Sequence, residues 1–178
     1  VQRQTAPNNL PFDYVCEFTS NGDAFRQGIE LNVNAAGNGQ PGPFVPGTTW
    51  TLSVYANWDM SGITPVIAFR DVLNSKTDQT KLSAATPNYQ AIGAAVEGYT
   101  RYSCTITVDA GVTPGTAPML AVVVIPDTGN IPAGGRVTGI QFEPGPVATP
   151  FEYRPYGVEL QLCQRYYQTL SGLYVCEI

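Results

Sequence analysis

Along this chain apolar and polar positions alternate with a period of two, over one short stretch after another, between clusters of Gly, Pro, Asn and Asp. The clearest stretch is TTWTLSVYANW, where Trp50, Leu52, Val54, Ala56 and Trp58 fall on one face and Thr51, Ser53, Tyr55 and Asn57 on the other. Period two puts alternate side chains on opposite faces of a strand and has no helical counterpart. The same pattern predicts a strand over residues 13–19, with Tyr14, Cys16 and Phe18 on one face. Another covers residues 25–33, with Ile29, Leu31 and Val33 together. Residues 99–108 turn Tyr102, Cys104, Ile106 and Val108 inward and Arg101, Ser103, Thr105 and Thr107 outward. Residues 64–72 and 136–142 add two more, and MLAVVVI (119–125) is apolar throughout, as in a strand buried on both faces. The opening residues VQRQT alternate like a strand already under way, without an initiator Met, which is expected of a fragment or a processed chain. Residues 74–98 show little periodicity and are expected to loop around Pro87-Asn88. About eight short strands with turns between them predict an all-β fold, a jelly-roll β-sandwich.

Composition agrees with that prediction. The 178 residues suffice for one domain with a sizeable core, and 18 Gly and 15 Pro supply the turns. Aromatic and β-branched residues are too frequent for disorder. The formal charge is -5, the only lysines are Lys76 and Lys81, and the arginines are scattered. With no basic stripe to neutralise phosphates, neither nucleic acid nor an anionic membrane is an expected partner. Cys16, Cys104, Cys163 and Cys176 lack metal-type spacing, so free thiols are expected, as in a protein assembled in a cytoplasm.

The chain has no histidine, which removes Ser-His-Asp and Cys-His catalysis and His-based metal sites. The expectation is a binding protein rather than an enzyme, with no cofactor and no metal. A glycosidase-type carboxylate pair would have to come from Asp59, Asp71, Asp78, Glu97 and Asp109, and no pattern brings two of these face to face. Sugar sites pair an aromatic face with groups that bond hydroxyls. On that basis Tyr55, Tyr89, Tyr99 and Arg101 are the candidate glycan-binding residues, while Trp50 and Trp58 are assigned to the core. The GNGQPGP loop reads as a loop tip, not a phosphate cradle.

Residues 148–178 are patterned differently. Pro150 and Pro155 hold the chain extended as it leaves the last strand, Phe151 and Tyr153 are expected to cover the open end of the sandwich, and Gly157 is a candidate turn. VELQLCQRYYQTL then reads as a short helix with Leu160, Cys163 or Gln164, Tyr167 and Leu170 on one face, and LYVCEI as the first strand of something further.

The order of RQGIEL, TWTLSVYANW, GYTRYSCTITV, MLAVVVI and GIQFE, from Phe25 to Glu143, resembles the carbohydrate-binding-module jelly roll with a galactose-binding-like fold. Two positions depart from that pattern: Thr138-Gly139 replaces an acidic position linked to calcium, and Tyr99 stands where tryptophan is common. The stretch TGIQFEPGPVATPFEYRPYGVELQLCQRYYQ, from Thr138 to Gln168, resembles a phrase that recurs in tail-fibre and other virion proteins of tailed bacteriophages and prophages. Pro150, Phe151, Glu152, Arg154, Pro155, Glu159, Leu160, Cys163, Arg165, Tyr166 and Tyr167 match it.

The resemblance implies a virion structural protein, a tail-fibre or receptor-binding component that attaches to a host-surface glycan. It further implies a homotrimer that contacts other virion proteins on the particle exterior. Residues 1–147 would form the jelly roll and 148–178 a Pro-rich clamp, a short helix and the start of a further strand. Phe151, Glu159, Leu160, Cys163, Arg165, Tyr166 and Tyr167 would couple it to its neighbours. A capsid decoration or structural tail protein without glycan binding is the second expectation, and a polysaccharide depolymerase the third.

Overall fold

A computed structural model describes residues 2–19, 25–30, 44–70, 80–112, 119–125, 131–155, 157–158 and 160–161. Within them run ten strands: Gln2–Thr5 (β1), Tyr14–Glu17 (β2), Phe25–Glu30 (β3), Thr49–Ala56 (β4), Val66–Arg70 (β5), Thr80–Lys81 (β6), Gln90–Val96 (β7), Tyr99–Thr107 (β8), Met119–Ile125 (β9) and Arg136–Pro144 (β10). A six-stranded sheet has the order β1-β2-β10-β4-β8-β7 and a four-stranded sheet the order β3-β9-β5-β6. All pairings are antiparallel. The chain is an all-β sandwich.

The inner face of β4 explains why the two sheets stay together. Leu52, Val54 and Ala56 are buried there, and β8 opposes Trp50, Leu52 and Val54 with Ile106, Cys104 and Tyr102. Cross-strand apolar pairs of this kind are the unit of sheet stabilisation. From the other sheet Ile67, Phe69, Val124 and Ile125 close the same core. Phe44, Trp50 and Phe142 stack at one end, with ring centroids 4.6 Å and 5.2 Å from Trp50. Trp58 is half-buried against this core, so both tryptophans sit where the alternation puts them.

Three expectations change. Residues 90–96, assigned above to a loop, form the edge strand β7, which joins β8 through Glu97 and Gly98, both at positive φ (50° and 78°). Such a pair gives the tight hairpin twist that two strands need, and Ala, Gly and exposed side chains along β7 hide the alternation. Tyr14, assigned above to one face with Cys16 and Phe18, is 51% exposed while Phe18 is buried, and the Arg3 guanidinium lies 4.3 Å from the Tyr14 ring centroid. The residue beside it, Val15, is the buried one. Finally, Thr51 and Ser53 point outward yet have no exposed surface. The outer face of the six-stranded sheet is covered by the chain itself.

Ile29 lies in β3, whose side chains are outside the described set, and Leu31 and Val33 fall outside the described residues altogether. Among the described residues Cys16 and Cys104 are free thiols; Cys163 and Cys176 lie outside them. No helix among the described residues is long and apolar enough to cross a membrane.

Candidate functional site

Two segments cover the outer sheet face. The loop between β1 and β2 folds inward through Ala6 and Leu10, which bury with Val15 and Tyr99 in a second small cluster. Its closure is local: the Ala6 amide donates to the Asp13 carbonyl and the Leu10 amide to that of Pro7. The Asn9 side chain donates to the Glu97 carboxylate across the β7–β8 turn.

The second segment is the Pro-rich stretch after β10, which lies along β4 and β8 as a strap. Thr51 Oγ1 donates to the Gly145 carbonyl at 2.7 Å and Thr105 Oγ1 to that of Pro146 at 3.3 Å. The Arg101 guanidinium donates to Ser53 Oγ at 2.9 Å and to the Thr149 carbonyl. Glu143 fixes the strap from the strand side. It accepts the Thr149 amide at 2.9 Å, the Thr149 hydroxyl, and Gln141 Nε2 at 2.9 Å. Partial burial pushes the Glu143 carboxyl up, but these bonds and nearby Arg101 outweigh it and hold it below the usual carboxylate value. Gln141 Oε1 accepts the Glu152 amide at 3.0 Å, so the strap is held on both sides of Phe151.

Phe12 joins the two segments. Its ring meets Tyr55 edge-on at 5.2 Å and Phe151 at 4.8 Å. Underneath lies Gly139, at φ 55° in an interruption of the β10–β4 register between Thr138 and Gln141. A Cβ there would overlap Phe12 Cζ and stand 2.8 and 2.9 Å from two further ring carbons. The backbone therefore needs glycine both for its conformation and for the ring above it.

Of the predicted glycan-binding residues, the structure brings Tyr55 and Arg101 together and places the other two elsewhere. The Arg101 guanidinium lies 5.5 Å from the Tyr55 ring centroid, whose edge is packed by Phe12, so both serve the strap. Tyr89 is wholly buried, with its hydroxyl donating to the Val124 carbonyl at 3.1 Å. It ties the sheets together and offers no ring face to a ligand. Tyr99 is 3% exposed, beneath the β1–β2 loop, and is equally closed to one.

The candidate catalytic carboxylates among the described residues each accept a hydrogen bond from a neighbouring loop or turn. Asp59 accepts the Ser61 amide at 2.9 Å, which holds its carboxyl below the usual value. Asp109 accepts the Ala84 amide and Glu97 the Asn9 side chain, while Asp71 and Asp78 lie outside the described residues. No group of three His, Cys, Asp or Glu among the described residues could hold a metal.

Phe151, expected at the open end of the sandwich, instead packs on the outer sheet face through Phe12, because the strap returns across β4 and β8. Gly157, Val158, Leu160 and Gln161 are helical, with the Val158 amide donating to the Pro155 carbonyl. Leu160 is 39% exposed. Glu159, Cys163, Arg165, Tyr166 and Tyr167 lie outside the described residues.

Two open clefts flank the strap. One of about 420 Å³ lies between β10 and residues 149–154, lined by Gln141, Glu143, Phe151 and Arg154 among others. The other, of about 480 Å³, lies between the β1–β2 loop and Tyr153, which is 61% exposed. Sequence reasoning missed Phe12, Gly139, Glu143 and Thr149 as the fixtures of this face. The chain matches no protein-family model, no curated protein and no solved structure.

Proposed function

We propose that this chain is a structural component of a tailed-phage virion, a tail-fibre or receptor-binding module whose sandwich is a jelly roll and which attaches to host-surface glycan. The observation that carries the reading is the Thr138–Gln168 phrase, which resembles one recurrent in such virion proteins. Its described part acts as a strap: Gln141, Glu143, Thr149 and Phe151 fix the departing chain to the module's own sheet. A segment used this way sets the angle at which the following chain leaves a rigid body, which suits a fibre built of modules in series.

Strand order supports the jelly roll. The two sheets share one core, and the chain crosses between them at each step from β2 to β5 and from β8 to β10. The fibre reading also expects a homotrimer in contact with other virion proteins, in which each weak glycan site acts at the effective concentration set by its neighbours. Val147, Val158 and Leu160 are exposed apolar residues on the strap and the following helical turn, where such contacts would bury them.

Gold-tagged antibody against this chain, applied to intact particles of the encoding phage, tests the proposal by electron microscopy. Gold at the tail periphery is the expected result. Gold over the capsid would replace the reading with a decoration protein, and particles without gold, together with gold-free disrupted particles, would refute a virion role.

A further inference from the structure

The reading above leaves the ligand site unassigned, since the aromatics that sequence singled out are packed into the fold. We infer that the cleft between the β1–β2 loop and Tyr153 is a sugar subsite, with Tyr153 as its stacking platform and Asn8 and Asp13 as its hydroxyl-bonding groups. The inference rests on the glycan-attachment reading and gives it a place.

Tyr153 is an unusual exposed aromatic. It carries 61% of its surface free, yet the backbone before it is pinned, by the Glu152 amide on Gln141 Oε1 at 3.0 Å and by Phe151 on Phe12 at 4.8 Å. An exposed ring on a fixed backbone loses little conformational entropy when a ligand covers it, and a tyrosine has only two side-chain torsions to restrict. Tyr153 lines a cleft of about 480 Å³ together with residues of the β1–β2 loop, among them Thr5, Asn8 and Asp13. Cavities of a few hundred Å³ are the usual size for small ligands.

The chemistry of that loop selects the ligand. The Asn8 amide can donate and accept, the Asp13 carboxylate accepts, and the Thr5 hydroxyl does either. Asn8, Asp13 and Thr5 are exposed, and their side chains make no hydrogen bond to another described residue. The lining holds one carboxylate and no cation, which disfavours phosphates and other anions. An exposed aromatic ring in one cleft with hydroxyl-bonding groups fits a neutral or amino pyranose, which has one apolar face and a rim of hydroxyls. The loop itself is firm, because Ala6 and Leu10 are buried in the outer cluster and it closes on the Asp13 carbonyl.

The test is an NMR titration of the full chain with the methyl glycosides of galactose, glucose, mannose and N-acetylglucosamine. Each is added to concentrations on the order of 10 mM, above the millimolar Kd expected of one shallow site. At least one should shift the Asn8 side-chain amide and the Tyr153 ring signals together. Tyr153→Ala and Asp13→Asn should each weaken that binding about tenfold or more, while signals outside the cleft stay put. Both residues are exposed, so neither variant threatens the fold. Binding that shifts other residues, or that survives both substitutions, overturns the site and leaves the glycan reading standing. If none of the four sugars shifts any signal, the site falls, and if the chain is also not retained on host cells, the glycan reading falls with it.

Discussion

Replacing Gly139 with alanine tests whether the strapped outer face is held as described. Two costs are built into that position. An L-residue at φ 55° pays about 1 kcal/mol for the left-handed conformation. The new methyl also cannot coexist with the Phe12 ring where it stands, since it would overlap Cζ. A ring is the far end of a side chain and can swing away, so the clash costs no more than what Phe12 gains by staying. That gain includes two edge-on contacts, to Tyr55 at 5.2 Å and Phe151 at 4.8 Å, each worth about 1 kcal/mol beyond the area it buries. Gly139→Ala should therefore cost about 3 kcal/mol, a fall in Tm of roughly 6–12 °C for a chain of this size.

The background variant separates the two costs. In Phe12→Ala the ring is gone, so Gly139→Ala should there cost only the conformational part, about 1 kcal/mol. The coupling between the two sites is then about 2 kcal/mol, read from urea unfolding of the four members of the cycle. Equal cost of Gly139→Ala in both backgrounds would refute the argument that Phe12 rests on that glycine. A cost near zero in the wild type would refute the left-handed backbone as well.

Two further outcomes follow from titratable groups. The bonds that lower the Glu143 carboxyl give stability that is present above its ordinary value of 4.5 and is lost as pH falls through the lowered folded value. Hydrogen exchange at the Thr149 amide should accordingly lose protection in acid below that value, and Glu143→Gln should remove the pH dependence; protection unchanged by acid would contradict the strap's anchor. Burial pushes the Cys104 thiol up to about 11, and its Sγ donates to the Pro87 carbonyl at 3.0 Å, so maleimide at pH 8 should leave it unlabelled until denaturant is added; rapid native labelling would place that face of β8 in solvent.

The sandwich was legible in the sequence wherever one face of a strand is apolar and the other polar. β4 and β8 follow that rule from Trp50 to Ala56 and from Arg101 to Thr107, and their inward residues are buried. β7 was not legible, because QAIGAAV at a sheet edge buries too little to need an alternating pattern. The burial of Tyr89 and Tyr99 was hidden for a different reason: Tyr89 lies in a stretch without alternation, Tyr99 falls on the outward parity of β8, and only the tertiary path of the chain covers them. Tyr153 as an exposed ring was equally hidden, since nothing local distinguishes it from Phe151 two residues earlier, which packs.

The outer face did leave a trace that alternation alone does not read. The outward residues of β4 and β8 include Thr49, Thr51, Ser53, Ser103, Thr105 and Thr107, small hydroxyl side chains with Arg101 as the one charge among them. A sheet face meant for water carries long charged residues that shield it and discourage pairing with other chains. A row of short hydroxyls instead lets a second layer of backbone approach closely and offers it donors, which is what the carbonyls of Gly145, Pro146 and Thr149 accept from Thr51, Thr105 and Arg101. Prolines in that layer make the match physical: a segment rich in residues that cannot donate has carbonyls to satisfy and few amides of its own to place. The strap and the face beneath it are thus complementary in hydrogen bonding: Thr51, Thr105 and Arg101 donate to strap carbonyls, while Glu143, Gln141 and the Thr49 carbonyl accept the strap's few amides. That complementarity fixes the strap to this sheet with polar bonds and one aromatic pin, Phe12, rather than with a second apolar core.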